Sequence, residues 1–189
     1  MLNKFVLAAL AGITMISGAS AAHAADDTIE QKVSWKMAGV SLHTQISMDR
    51  NWPPASMNTG RISGTLGSGM SQGMTEPERV PVSRCPKNAT LEYNIIASNN
   101  VITLDDGLDQ LTYRLKSGYC CMFADNSITA ETISEVTGGT GRFKGATGTL
   151  VTTVSPEAVS FPEWKGEFNN SISLTEGTLV LLKANQARP

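Results

Sequence analysis

The stretch Gly138-Gly139-Thr140-Gly141-Arg142-Phe143-Lys144-Gly145-Ala146-Thr147-Gly148 (GGTGRFKGATG) puts five glycines into eleven residues, with Arg142 and Lys144 between them. Such a run either cradles a phosphate or turns a chain. A dinucleotide fingerprint, G-x-G-x-x-G, would use Gly139 and Gly141, but Lys144 holds the place of the third glycine. A phosphate loop, G-x-x-x-x-G-K-[ST], finds no register here. Both motifs also need a helix immediately after them, whose N-terminus attracts the phosphate. The chain continues instead as ATGTLVTTV from Ala146, which is β-branched and strand-like. The run therefore reads as a crowded reversal between two strands. Gly138, Gly139, Gly141, Gly145 and Gly148 allow positive φ and close backbone approach. Phe143 is expected to tuck into the end of the fold, with Arg142 reaching carbonyls or a carboxylate.

On either side of this turn the pattern is alternation, with little helical periodicity. Val33, Trp35 and Met37 share one phase; after Ala38-Gly39 the phase slips to Val40, Leu42, Ile46 and Met48, which predicts a β-bulge. NWPPAS from Asn51 is a loop, and Ile62, Leu66, Met70 and Met74 read as one strand before the connection EPERVP. Leu91, Tyr93 and Ile95 lead through Ser98-Asn99-Asn100 to VITL and the turn Asp105-Asp106-Gly107. Leu111, Tyr113 and Leu115 come next, and Lys116-Ser117-Gly118 is expected to turn that strand into YCCMF. Asp125-Asn126-Ser127 turns YCCMF into SITAETISEV. Trp164, Phe168, Ile172 and Leu174 alternate, and a last hairpin at Glu176-Gly177 is expected to return through TLVLL. Eight to ten strands joined by tight turns predict an all-β fold, an antiparallel up-and-down barrel.

The N-terminus has the form of a secretory signal. Lys4 supplies the positive charge, Phe5 to Ile16 is apolar, and small residues come after it. The apolar run is too short to span a bilayer, so no stable membrane anchor is expected. Cleavage after Ala24 or Ala21 fits, leaving residues 25–189 as a single domain in the periplasm or outside the cell. The formal charge of −2 becomes −3 once Lys4 is removed, and no basic cluster offers a nucleic-acid surface.

Cys85, Cys120 and Cys121 should yield one disulfide in an oxidising compartment. Neighbours on a strand point to opposite faces, so only one of Cys120 and Cys121 meets Cys85 comfortably. Cys85–Cys120 is favoured slightly, with Cys85–Cys121 as the alternative.

Motifs for catalysis are weak. Gly69-Met70-Ser71-Gln72-Gly73 matches G-x-S-x-G but lacks the strand–turn–helix setting of a nucleophile elbow, and His43 alone remains to serve a triad. No metal-ligand spacing is present, and Asp49-Arg50-Asn51 and Leu104-Asp105-Asp106-Gly107 do not match a calcium loop. Glu92, Glu131, Glu135 and Glu167 lie in predicted strands, where an inward-facing carboxylate could act as an acid or base. No cofactor or metal is expected.

The longer run VTGGTGRFKGATGTL, from Val136, resembles the glycine-rich segment of the allene oxide cyclase-like barrel superfamily, which includes the dirigent proteins and exported bacterial relatives. ISGTLGSG from Ile62, Cys85-Pro86 and LDDG from Leu104 extend the likeness over roughly Leu42 to Val154. The resemblance implies an eight-stranded barrel, often trimeric, around an apolar cavity. None of that superfamily's functional residues falls on a matching position here.

The leading expectation is thus an exported barrel that binds a small, largely apolar molecule. Trp35, Leu42, Ile46, Tyr93, Tyr113 and Phe123 are the inward candidates, with Arg114 or a strand glutamate as polar anchor. Met37, Met48, Met70, Met74 and Met122 would form an adaptable wall. Two alternatives stand beside it: a cyclase- or isomerase-type enzyme, and a filled barrel serving as a structural or protein-interaction module.

Overall fold

The structure, a computed structural model, describes residues 27–44, 55–125, 127–154 and 168–186, with backbone only at 42–44 and 168–171. The signal segment, Ile46, Met48, Trp164 and Glu167 lie outside these residues, as does the side chain of Leu42.

Eight strands run in order: β1 Thr28–Thr44, β2 Ala55–Gly64, β3 Gly67–Val80, β4 Ala89–Leu104, β5 Gln110–Phe123, β6 Ile128–Gly139, β7 Thr147–Val154 and β8 Phe168–Leu182. A one-turn helix, α1 Lys183–Gln186, comes after β8. Each strand pairs antiparallel with the next, and β8 returns to β1 from Thr28↔Leu182 to Leu42↔Phe168. The chain is a closed up-and-down barrel. Closure leaves no unpaired strand edge, which removes the usual template for sheet-to-sheet aggregation.

One end of the barrel is packed solid. Val33 and Trp35 on β1, Ile62 on β2, Ile102 and Leu104 on β4, Leu111 and Tyr113 on β5, Val136 on β6, Leu150 on β7 and Leu179 and Leu181 on β8 are buried together. These residues share the inner phase of their strands, since partners in register share a face. Burial of each large side chain contributes about 1.5–3 kcal/mol.

The glycine-rich stretch closes this end. Gly141–Phe143 forms a single 3-10 turn between β6 and β7, and Phe143 is 0% exposed beneath the core. Gly141 sits at φ +57, and a Cβ there would lie 1.8 Å from Asp109 Oδ1. That carboxylate accepts the Arg142 N–H at 2.9 Å and ion-pairs with Arg142 Nε at 3.1 Å. The Arg142 guanidinium also donates to the Leu66 carbonyl and stacks 4.9 Å from the Phe143 ring centroid. Three separate hairpin ends are thereby tied under the barrel.

Several expected breaks are instead continuous strand. No register shift accompanies Gly39 in either the β1–β2 or the β1–β8 ladder, so the expected bulge is absent there. Gly39 faces Gly60 directly, and a Cβ on Gly39 would lie 2.1 Å from the Thr59 carbonyl oxygen. Glycine is needed there for the close approach of two sharply coiled strands. Lys116-Ser117-Gly118 is a register shift within β5, not a turn. Glu176-Gly177 lies inside β8, and Ser98-Asn99-Asn100 inside β4. EPERV continues β3 rather than leaving it. Conversely, the single strand expected from Ile62 to Met74 is two strands, β2 and β3, reversed between Gly64 and Gly67.

The disulfide joins Cys85 to Cys121, correcting the slight preference for Cys120. The shift between Leu115 and Ser117 changes the phase of β5. Tyr113 is inward before it; after it, Cys120 opposes inward Tyr93, and Cys121 opposes Glu92 on the outer face. Only Cys121 lies on the face reached by the connection that carries Cys85.

Candidate binding site

Above the packed floor the inner wall changes character. On β1, Trp35 is followed by Met37, Gly39 and Ser41; on β2, Ile62 gives way to Gly60 and Asn58. On β3 the inner positions are Ser71, Gly73 and Thr75, and on β4 Ile102 is followed by Asn100 and Ser98. On β6 Val136 is followed by Ser134, on β7 Leu150 by Thr152, and on β8 Leu179 by Gly177, Thr175 and Ser173. This is a belt of glycines and small uncharged polar residues. It lies between the aromatic floor and the opposite end, at which β1, β3, β5 and β7 finish.

Much of the belt is self-satisfied. Ser41 Oγ donates to Asn58 Oδ1, Asn58 Nδ2 to Thr75 Oγ1 at 3.4 Å, and Asn100 Nδ2 to Ser98 Oγ at 3.0 Å. Thr75 and Ser98 share a hydrogen bond at 3.1 Å, as do Thr152 and Thr175 at 2.8 Å. The Tyr113 hydroxyl bonds Ser71; burial pushes its pKa up to about 12, so it is a neutral donor. Ser134 and Ser173 are also buried in the belt, 2% and 5% exposed.

Of the aromatic residues expected to face inward, Trp35 and Tyr113 do so, with ring centroids 6.4 Å apart and planes tilted by 57°. Tyr93 is buried farther from the packed end, beside Cys120 and next to Arg79 in the β3–β4 ladder. Burial raises the Tyr93 pKa, the Arg79 charge partly offsets that, and Cys120 adds to it. Cys120 is a free thiol, and its burial pushes the pKa up to about 12. Phe123 ends β5 half-buried, opposite Ala89. The backbone of Leu42 pairs with Met57 and Phe168.

Arg114 does not serve as an inner anchor. Its side chain is 63% exposed on the outer face, ion-paired with Glu135. The expected methionine wall is split: Met122 shares the inner phase of Cys120 on β5, and Met48 lies outside the described residues. Met70 and Met74 are exposed on the outer side of β3, while Met37 packs against the core.

Glu92 is 0% exposed yet faces away from the lumen, on the outer side of β4. The connection from Pro81 to Asn88 folds over it, held by the Cys85–Cys121 bridge. Its carboxylate accepts backbone N–H groups of Ser83 at 2.6 Å, Arg84 at 2.8 Å and Cys85 at 3.3 Å, and Arg84 Nε at 2.7 Å. The Ser83 N–H is the largest influence lowering its pKa to about 2, against an opposing push from burial. Arg84 lies 5.0 Å from the Tyr119 ring centroid. This carboxylate fastens a loop.

Sequence reasoning missed the belt because it tracked apolar residues. The signal that could have found it was serine, threonine and glycine recurring at period two, in phase with Trp35, Ile62 and Leu150.

Among the described residues no group of three or more His, Cys, Asp or Glu side chains is placed to hold a metal ion, and no helix is long and apolar enough to cross a membrane. No protein-family model matches the chain, and no curated protein is significantly similar to it.

Proposed function

We propose that the protein is an exported barrel that binds a small, largely apolar molecule above the aromatic floor. The observation that supports this reading is the change in inner side-chain size along the barrel. An eight-stranded barrel is either filled by side chains or wide enough for one small ligand. Below, Trp35, Tyr113, Ile62, Ile102 and Leu150 fill it; above, β1, β2, β3, β6 and β8 place Gly39, Gly60, Gly73, Ser134 and Ser173 among their inner residues, while β4 and β5 keep Tyr93, Ile95 and Leu115. The glycines and serines leave room that the floor does not.

Membership of the allene oxide cyclase-like superfamily is part of the proposal and rests on GGTGRFKGATG. Export rests on the N-terminal apolar run, and a Cys85–Cys121 bridge is compatible with an oxidising compartment. Native mass spectrometry of the protein purified without detergent tests the reading and counts subunits, a homotrimer being the state the resemblance implies. A copurified small molecule is expected. A mass that stays that of the bare chain, even after challenge with fatty-acid and phenolic mixtures, would overturn it.

A further inference from the structure

Four described arginines sit beside a carboxylate: Arg61 with Asp105, Arg84 with Glu92, Arg114 with Glu135 and Arg142 with Asp109. Arg79 has no such partner among the described residues. Its direction also sets it apart. On β3 it follows the phase of Ser71, Gly73 and Thr75 and lies opposite Tyr93, which is buried on the inner face. Of the charged residues on the described strands, Arg79 alone takes that phase. Its neighbours Glu76 and Glu78 alternate outward, and Glu92, Arg114 and Glu135 lie on the outer face.

Arg79 is exposed near the end of β3, far from the packed floor. A guanidinium in that position keeps water around it and needs no buried counter-charge, so it can exchange that water for an anion. Residues directly opposite in an antiparallel ladder have Cβ atoms about 4.5–5.5 Å apart, so one head group can touch both Arg79 and Tyr93. Burial raises the Tyr93 pKa and the Arg79 charge partly offsets it, which sets the phenol close to the guanidinium and keeps it a neutral donor.

The donors narrow the chemistry. The planar fork of an arginine matches a carboxylate with two parallel hydrogen bonds. A single cation balances one negative charge, which favours a carboxylate over a phosphate dianion. Inward of this pair the wall turns apolar, with the Tyr93 ring and Ile95, both buried.

We infer that the barrel takes an amphipathic monocarboxylate, its head group held by Arg79 and the Tyr93 hydroxyl and its apolar body directed inward past Ile95. This rests on the ligand-binding reading above and specifies the head group and the orientation of that molecule.

Four probes separate the two ideas: phenylbutyrate, its primary amide, phenylbutylamine and acetate. Each is titrated calorimetrically against the mature protein. Phenylbutyrate is expected to bind about tenfold tighter than the amide, as a charge-assisted pair of hydrogen bonds implies, with the amine weaker still. Acetate, which lacks the apolar body, should bind at least about tenfold more weakly than phenylbutyrate. In R79Q the preference for carboxylate over amide should vanish while amide affinity and the urea midpoint hold, because no described carboxylate depends on Arg79. In Y93F phenylbutyrate should bind severalfold more weakly.

Equal binding of carboxylate and amide, or a preference that survives R79Q, would overturn the inference and leave the apolar-ligand reading standing. So would tightest binding by the amine. Acetate binding as tightly as phenylbutyrate would reduce the site to a surface anion contact and overturn it as well. A fall in the urea midpoint of R79Q would assign Arg79 a structural role, again overturning it, and unchanged affinity in Y93F would overturn the assignment of Tyr93. No binding by any probe would count against both ideas.

Discussion

At the scale of single residues, Glu92 shows how a strand carboxylate can be wholly buried without facing the lumen. Three successive backbone N–H groups and Arg84 Nε converge on it, and they favour its charged form. Its pKa falls from 4.5 to about 2 in the folded protein. A group with a depressed folded pKa stabilises the fold above its unfolded pKa and loses that stabilisation as pH falls through the folded value. The native protein should therefore lose stability between about pH 4.5 and pH 2 through this group. E92Q should be less stable at pH 7 by several degrees in Tm, because an amide cannot accept from all three N–H groups and Arg84 as a carboxylate does. It should also lose less Tm on acidification across that window. Thermal melts of both proteins at pH 7, 4 and 2.5 check this; parallel pH profiles would contradict it. Loop protection by hydrogen exchange at Ser83–Cys85 should fall in the same variant.

Among elements, the 3-10 turn shows what a glycine-rich stretch is for in this fold. The turn inserts Phe143 under Trp35, Tyr113 and their neighbours and fastens Arg142 to Asp109 and Leu66. F143A should cost about 3–5 kcal/mol, the usual penalty for emptying a buried aromatic site. The measurement is urea unfolding monitored by tryptophan fluorescence; a loss below about 1 kcal/mol would mean that the turn does not carry the floor of the barrel. This element was readable in the sequence, because the glycines ran into a strand-like tail and no helix was at hand to hold a phosphate. Lys116-Ser117-Gly118 and Glu176-Gly177 were misread for a physical reason. A glycine after polar residues marks a reversal as readily as a bend, and only register distinguishes them. In β5 the polar triplet shifts the phase and moves Cys121 to the outer face, which is why the neighbouring cysteines could not be assigned from the sequence. Gly39 misled in the opposite sense: it marks a close crossing with Gly60 and leaves the phase unchanged. The polar belt was not legible because Ser, Thr and Asn at strand positions read as solvent-facing. Their inward direction emerges only when Ser71, Ser134 and Ser173 are placed in register with Ile102, Leu150 and Met37.

For the whole molecule, closure between β1 and β8 makes the first and last described strands neighbours. Such a seam could be a weak line along which the barrel opens. Two features oppose this. The seam is long, running from Thr28↔Leu182 to Leu42↔Phe168 with no register shift. The packed end also ties opposite walls together, since Trp35 on β1 meets the ring of Tyr113 on β5 within the same core as Leu179 and Leu181 on β8. Opening the seam would expose that floor and create two unpaired edges at once. The barrel should accordingly unfold as one unit. Native-state hydrogen exchange with increasing urea is the direct check. Core amides on either side of the seam, at Val33 and Leu179, should show the same opening free energy and urea dependence as Ile102 and Leu111 on the far wall. Weaker protection with a shallow urea dependence, confined to β1 and β8, would show instead that the barrel breathes along its seam. That result would also point to a ligand route through the wall beside Trp35, and ligand binding would then raise protection at Val33 and Leu179 first.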